Sequence, residues 1–360
     1  MTKRSLETLQ VGRAFAAIAV LLYHTEITIA LPKYFNRSIA KFWVAGDSGV
    51  DFFFVLSGFV ILFVHMEDIG NPKALGSYFW KRFRRIYPPL WIAILGLVLI
   101  FFFVPTFGTG NELKFSSVLS AFLLSPTQNE YLLGPEWTLR HEIVFYLLFG
   151  VIIWKPNIGI LASLAWISLI ILNLYIGLSY PWSFAFSCYN LLFVFGMVGA
   201  FCFRRCKITR PALALLAGFF IYAFTWMAVW VSILPKHNLA TILYGIGATV
   251  AILAAAEIER TRSVHVPRLM LFLGEASYSI YLVHYPAISG ACKILSKVND
   301  RIILPDSIVF TATAAVALSS GIIFHAFVEK PLLRWISALR FMTKEGSKYN
   351  YAKNVEEGHF

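Results

Sequence analysis

The sequence predicts an all-α polytopic membrane protein of about ten transmembrane helices with both termini in the cytoplasm. Three observations carry that prediction. Of 360 residues, 58% are hydrophobic and only 14% charged, and the mean hydropathy is +0.70, which is outside the range of soluble domains. Apolar runs recur along the whole chain, each long enough to cross roughly 30 Å of hydrocarbon as a helix of about 20 residues. The 31 Lys and Arg concentrate in the N-terminus, the even-numbered loops and the C-terminal tail, which the positive-inside rule places in the cytoplasm.

The spans expected in order are 9–31, 48–66, 87–104, 137–154, 158–178, 189–203, 211–233, 238–257, 268–292 and 307–328. The first follows Lys3 and Arg4 as a signal peptide would, but its apolar stretch is too long and contains Arg13, so it reads as an uncleaved helix. The second enters through GVDFFFVLSGF. The third follows the basic, aromatic stretch YFWKRFRRIYPPLW, which sits ahead of it on the cytoplasmic side. Phe115 to Leu124 is too short to cross and reads as an interfacial or re-entrant helix in the longest outside loop, Pro105 to Pro135. The fourth span opens with EWTLRHEIVFYLLF, the fifth to eighth are almost uninterrupted apolar runs, the ninth carries SYSIYLVHYP and the tenth closes on EKPLLR. Residues 1–336 form one membrane domain, and 337–360 a polar cytoplasmic tail.

Several function classes find no support. The net charge of +12 is accounted for by a basic face against anionic headgroups and needs no nucleic acid. Four cysteines do not make a disulfide framework; Cys202 and Cys206, one turn apart, suit packing better than metal binding or lipidation. There is no GxxxxGK[ST] loop, HExxH helix, GxSxG elbow or CxxC pair, so nucleotide, zinc and serine hydrolase chemistry lack a motif and no metal is expected.

What the composition leaves unexplained is a set of ionisable residues inside the spans. Arg13 and His24 are 11 positions apart, three turns plus about 20°, so they share one face of the first helix about 16 Å apart along its axis. Arg13 alone could snorkel to headgroups, but His24 cannot reach them and must face protein or water. Asp47, Asp51, Glu136, Arg140, His141, Glu142 and His284 fall in the outer half by span direction. There Glu136 and Arg140, at i and i+4, can simply neutralise each other, and the group as a whole could be a polar network holding helices together. On the inner side Lys81, Arg82, Arg84 and Arg85 suit a phosphate-bearing ligand, although positive-inside topology supplies such clusters by default. Glu329 could partner one of these arginines. An inner phosphate site, outer acid-base groups and an Arg-to-His stripe between them suggest transfer of a group that starts in the cytoplasm.

Six features at matching spacing, from about residue 5 to 335, resemble the integral-membrane acyltransferase 3 family: Arg13 with His24, GVDFFFVLSGF, the Arg82 and Arg85 pair, EWTLRHEIVFYLLF, SYSIYLVHYP and EKPLLR. The resemblance implies ten core helices and transfer of an acyl group, usually acetyl from cytoplasmic acetyl-CoA, to a hydroxyl of a glycan. The short chain with no appended esterase-like domain is most similar to the bacterial exopolysaccharide O-acetyltransferases of the inner membrane. It also implies that Arg13 and His24 are the essential pair, that Arg82 and Arg85, with neighbouring Arg84, hold the acyl-CoA, and that Glu142 belongs to the working site. Asp51, His284 and Glu329 serve the substrate or the polar network. The chain departs from many relatives at Ile143, where a second acid is common, so an acidic role falls to Glu142 alone. The donor would be a substrate, with no permanently bound cofactor. His24 would take the hydroxyl proton and Arg13 would stabilise the developing oxyanion; a relay in which His24 carries the acyl group is the other mechanism. A proton-coupled transporter using the intramembrane His, Asp and Glu is the competing class.

Overall fold

The computed structural model describes residues 6–108, 113–128 and 131–338. Its elements are helical, and no strand occurs among the described residues. In chain order they are α1 (Glu7–Ile29), α2 (Gly49–His65), α3 (Leu75–Phe103), α4 (Phe115–Leu123), α5 (Glu136–Trp154), α6 (Pro156–Ile176), α7 (Trp182–Ala185), α8 (Tyr189–Arg205), α9 (Pro211–Trp230), α10 (Asn238–Thr261), α11 (Arg268–Asn299) and α12 (Asp306–Phe324). Ten of these answer the ten expected spans, and α4 is the expected short helix. Parts of the longest loop and the tail beyond residue 338 lie outside the described residues.

Eight of the ten long helices are long and apolar enough to cross a membrane. The two that fall short are α1 and α11, which carry Arg13, His24 and His284. They pack mainly on each other, α1 also on Lys41–Ser48 and α11 also on α12, so their polar faces meet protein. The seam is tight: a Cβ added at Gly274 of α11 would collide with the backbone carbonyl of Gln10 on α1. Glycine lets two backbones approach this closely, the usual device where helices associate without a hydrophobic drive between them. The α2–α8 seam does the same with Gly58 against the backbone of Phe193 and Gly196 against that of Val55.

Two details differ from the sequence expectation. The third helix begins at Leu75, not near 87, so the basic stretch is its first turns. Arg82 and Arg85 are therefore on one face and Arg84 on another. Beyond α12 the helix continues to Ala338 through one π-helical turn, His325–Glu329, the kind of irregularity often found at functional sites.

Two carboxylates outside the predicted set fix the ends of α1. Glu259 of α10 accepts from the backbone amides of Glu7 (2.8 Å) and Thr8 (2.9 Å) and from the Thr8 hydroxyl, satisfying amides that a helix start leaves unpaired. Glu26, almost fully buried, accepts from Ser38 and the Ala40 amide and holds the connection into α2.

Candidate active site

The close α1–α11 seam sets Arg13 against Ser277, whose hydroxyl accepts from Arg13 Nε at 3.2 Å. Arg85, Glu329 and Glu142 are among the charged groups that act on the guanidinium. Arg13, Arg85, Glu329 and Lys330 line a cavity of about 590 Å³. Glu329 does not pair with Arg82, Arg84 or Arg85 as its place in the sequence suggested. It accepts from Ser279 Oγ at 2.5 Å and from His325 Nδ1 at 2.7 Å, because the π turn swings it toward α11.

Arg82 and Arg85 face this side of the bundle, whereas Arg84 turns away and donates to Ser337 Oγ at 3.1 Å. Arg82 is held by a chain of contacts. His65, buried at the end of α2, donates from Nδ1 to Asp68 (2.7 Å), which leaves its Nε2 to accept from Arg82 Nη2 at 3.4 Å. The guanidinium lies 5.7 Å from the centre of the Tyr146 ring, a cation–π contact. The Tyr146 hydroxyl donates to Glu142 Oε1, as does Ser57 Oγ at 3.0 Å. Glu142, on α5, thus lies level with Ser57, midway along α2, and is joined to Arg82 through Tyr146, not grouped with the outer acids where span direction alone had put it.

Three turns from Arg13, His24 meets His284. Its Nδ1 lies 3.0 Å from the Val20 carbonyl and 3.1 Å from His284 Nε2, while His284 Nδ1 lies 2.7 Å from the Tyr281 carbonyl. Carbonyls only accept, so in the neutral pair His284 carries its proton on Nδ1 and accepts through Nε2. His24 must then be the donor, with its proton on Nδ1. This assignment follows from the partners. Its consequence is a free lone pair on His24 Nε2, to which no described group hydrogen-bonds; the ring itself makes edge-on contacts with Tyr23 and Tyr285. His284 is fully buried and sets the tautomer of its neighbour.

The remaining acids and histidines of that level are mostly structural. Arg140 Nη2 donates to Glu136 at 2.8 Å and to Ser120 at 3.1 Å, with both members of the ion pair buried. His141 is locked on Asn190 at 3.0 Å. Asp51 is different: it is buried near the Asp47–Lys236 pair, and its Oδ1 has no partner among the described residues. His65 and Asp68 were not singled out by the sequence, although a histidine at a helix end three residues before an aspartate and facing a basic stretch is the signal that could have marked them. No group of three or more potential metal ligands occurs among the described residues.

Residues 6–325 match the model of an acyltransferase domain, that of the acyltransferase 3 family. The chain belongs to this family. Similar members include the exopolysaccharide production protein ExoZ of Rhizobium meliloti, 27% identical over 80% of this chain and 90% of that protein. Acyltransferase MdmB of Streptomyces mycarofaciens is 24% identical over 91% and 92%. O-acetyltransferase OatA of Staphylococcus aureus is 24% identical over 94% of this chain but 59% of its own length. No solved structure matches significantly. The family places the chain among membrane-embedded acyltransferases, and this favours the enzyme over the transporter reading.

Proposed function

We propose that this acyltransferase moves an acetyl group from cytoplasmic acetyl-CoA to a hydroxyl of an exported polysaccharide or its lipid-linked precursor, working in the cytoplasmic membrane with its termini and arginine cavity inside. The exopolysaccharide and O-acetyltransferase names of similar proteins support the acceptor class, and the cluster of guanidinium groups suits the phosphates of coenzyme A. The single observation that carries the mechanism is the pair of contacts at His24 Nδ1, 3.0 Å from the Val20 carbonyl and 3.1 Å from His284 Nε2, which together leave Nε2 to serve as the base.

In this reading Arg82 and Arg85 hold the donor phosphates, and the thioester reaches inward past Arg13. His24 Nε2 takes the proton of the acceptor hydroxyl as its oxygen attacks the thioester carbonyl; the carbonyl oxygen gains negative charge, which Arg13 stabilises, and coenzyme A leaves as its thiol. Ser277, which binds Arg13, and His284, which binds His24, are seven residues apart on α11, about two turns, so α11 holds both groups from one face. Glu142, fixed by Ser57 and Tyr146, orients Arg82 through the Tyr146 ring.

The test is transfer by purified protein from radiolabelled acetyl-CoA to candidate oligosaccharides. Label in the glycan, lost in His24→Ala while coenzyme A binding persists, is the expected result. Full transfer by His24→Ala would refute the assignment. Acid-labile label trapped on His24 in the absence of acceptor would replace direct attack by the relay.

A further inference from the structure

α3 presents a second basic position that the donor site does not use. Where Arg82 and Arg85 face the bundle, Arg84 faces outward, and there α3 and the helix that follows α12 part to leave a trough of about 930 Å³. The trough is walled by Phe83 against Trp80 (5.8 Å, stacked) and Trp91 (5.6 Å, edge-on) and on the far side by Leu332, Trp335 and Ile336. Arg84 is the charged group that lines it, and among the described residues no carboxylate does. Arg84 donates to Ser337 at 3.1 Å, which leaves most of the five N–H donors of a guanidinium for a ligand.

The trough runs along α3 from Gly76 past Arg84 and Ile92 to Leu95, which is half exposed, and its apolar part is the stretch from Arg84 to Leu95. Eleven residues of helix span about 16 Å, close to half of a hydrocarbon layer of about 30 Å. A basic group at the level where α3 becomes apolar, followed by a wall of aromatic and aliphatic groups about one leaflet deep, with room beside Gly76 and Trp80 for a headgroup, has the polarity and length of a phospholipid. We propose that this trough binds one anionic phospholipid, its phosphate on Arg84 and one acyl chain along Trp91, Ile92 and Leu95. Snorkelling arginines alone make no such site; here the guanidinium lines a formed cavity. Occupancy ties α3 to the last helix and so steadies the turn carrying Arg82 and Arg85.

Native mass spectrometry of the delipidated full chain, titrated separately with phosphatidylglycerol, phosphatidylcholine and coenzyme A, tests this. One phosphatidylglycerol should bind ahead of phosphatidylcholine, Arg84→Gln should weaken that first phosphatidylglycerol about tenfold without changing phosphatidylcholine, and coenzyme A binding should be unaffected. Leu95→Trp, which fills the apolar end from an exposed position, should lower the count of tightly bound phosphatidylglycerol by one and reads the same site if the arginine variant does not fold. Equal binding of the two lipids by the unaltered chain, a preference that survives both substitutions, or loss of coenzyme A binding with intact lipid binding in Arg84→Gln would each overturn the proposal; the last would return Arg84 to the donor site.

Discussion

His24 keeps one ring nitrogen on its own helix and on His284 and leaves the other open, and this division of labour makes separate predictions for the two histidines. His24→Ala removes the proposed base, and general-base catalysis contributes about 10²–10⁴-fold, so kcat should fall by at least about a hundredfold with donor affinity kept. His284→Ala removes only the acceptor that helps fix the tautomer. One hydrogen bond is typically about 1 kcal/mol, so kcat should fall roughly five- to tenfold and KM for the donor should stay unchanged. A third histidine acts at the other end: His65→Ala frees Arg82 from the His65–Asp68 pair, and a rise in KM for acetyl-CoA of about fivefold with kcat nearly unchanged is expected, partly restored by His65→Asn. Steady-state kinetics with varied donor separates the three outcomes. A kcat loss without any KM change in His65→Ala would remove it from donor binding.

At the scale of elements, the site depends on how closely helices approach. Gly196 packs on the backbone of Val55 and Gly58 on that of Phe193, so neither contact can be relieved by turning a flexible side chain. Gly196→Ala should cost about 1–3 kcal/mol, the usual range for overpacking, and lower the thermal midpoint in detergent, read from unfolding followed by size exclusion. Gly274→Ala acts on the α1–α11 seam and should cost stability together with activity, since it pushes Arg13 away from Ser277 and His24 away from His284. An unchanged midpoint in both variants would show that the helices have room that the structure denies them. Gly177, by contrast, ends α6 with a positive φ of 67° and open space around it, so a left-handed cap, not packing, is its reason.

The whole molecule has two chemically distinct ends. The start of α1, the ends of α2 and α12, and the start of α3 bring Arg13, His65, Arg82, Arg85 and Glu329 to one end. The other end holds His24, His284, Asp47 and Lys236. If the arginine end is cytoplasmic, the exposed Cys206, next to Arg204 and Arg205 at the end of α8, should react with a membrane-impermeant maleimide only after cells are permeabilised. A cysteine at exposed Ile233, in the turn between α9 and α10, should react in intact cells in a Cys206→Ser background. The reverse pattern would invert the topology and place the donor cavity outside, where acyl-CoA is not available.

By itself the sequence determined the fold class, the ten long helices to within a few residues at most ends, the short helix α4 and the family, because a bilayer demands long apolar helices and because motifs survive as local strings. It also placed Arg13 and His24 on one face, since helical periodicity needs no tertiary information. Tertiary structure alone decided which polar groups meet. Nothing local to SYSIYLVHYP says that His284 will accept from His24, or that Glu142 will join the arginines through Tyr146. The basic stretch looked like one cluster because charge was counted along the chain; once it became the first turns of α3, a rotation of about 100° per residue sent Arg84 to a different partner from Arg82 and Arg85. Partner choice depends on the rotation and depth of helices packed through glycine contacts, and those are fixed only when the whole bundle closes.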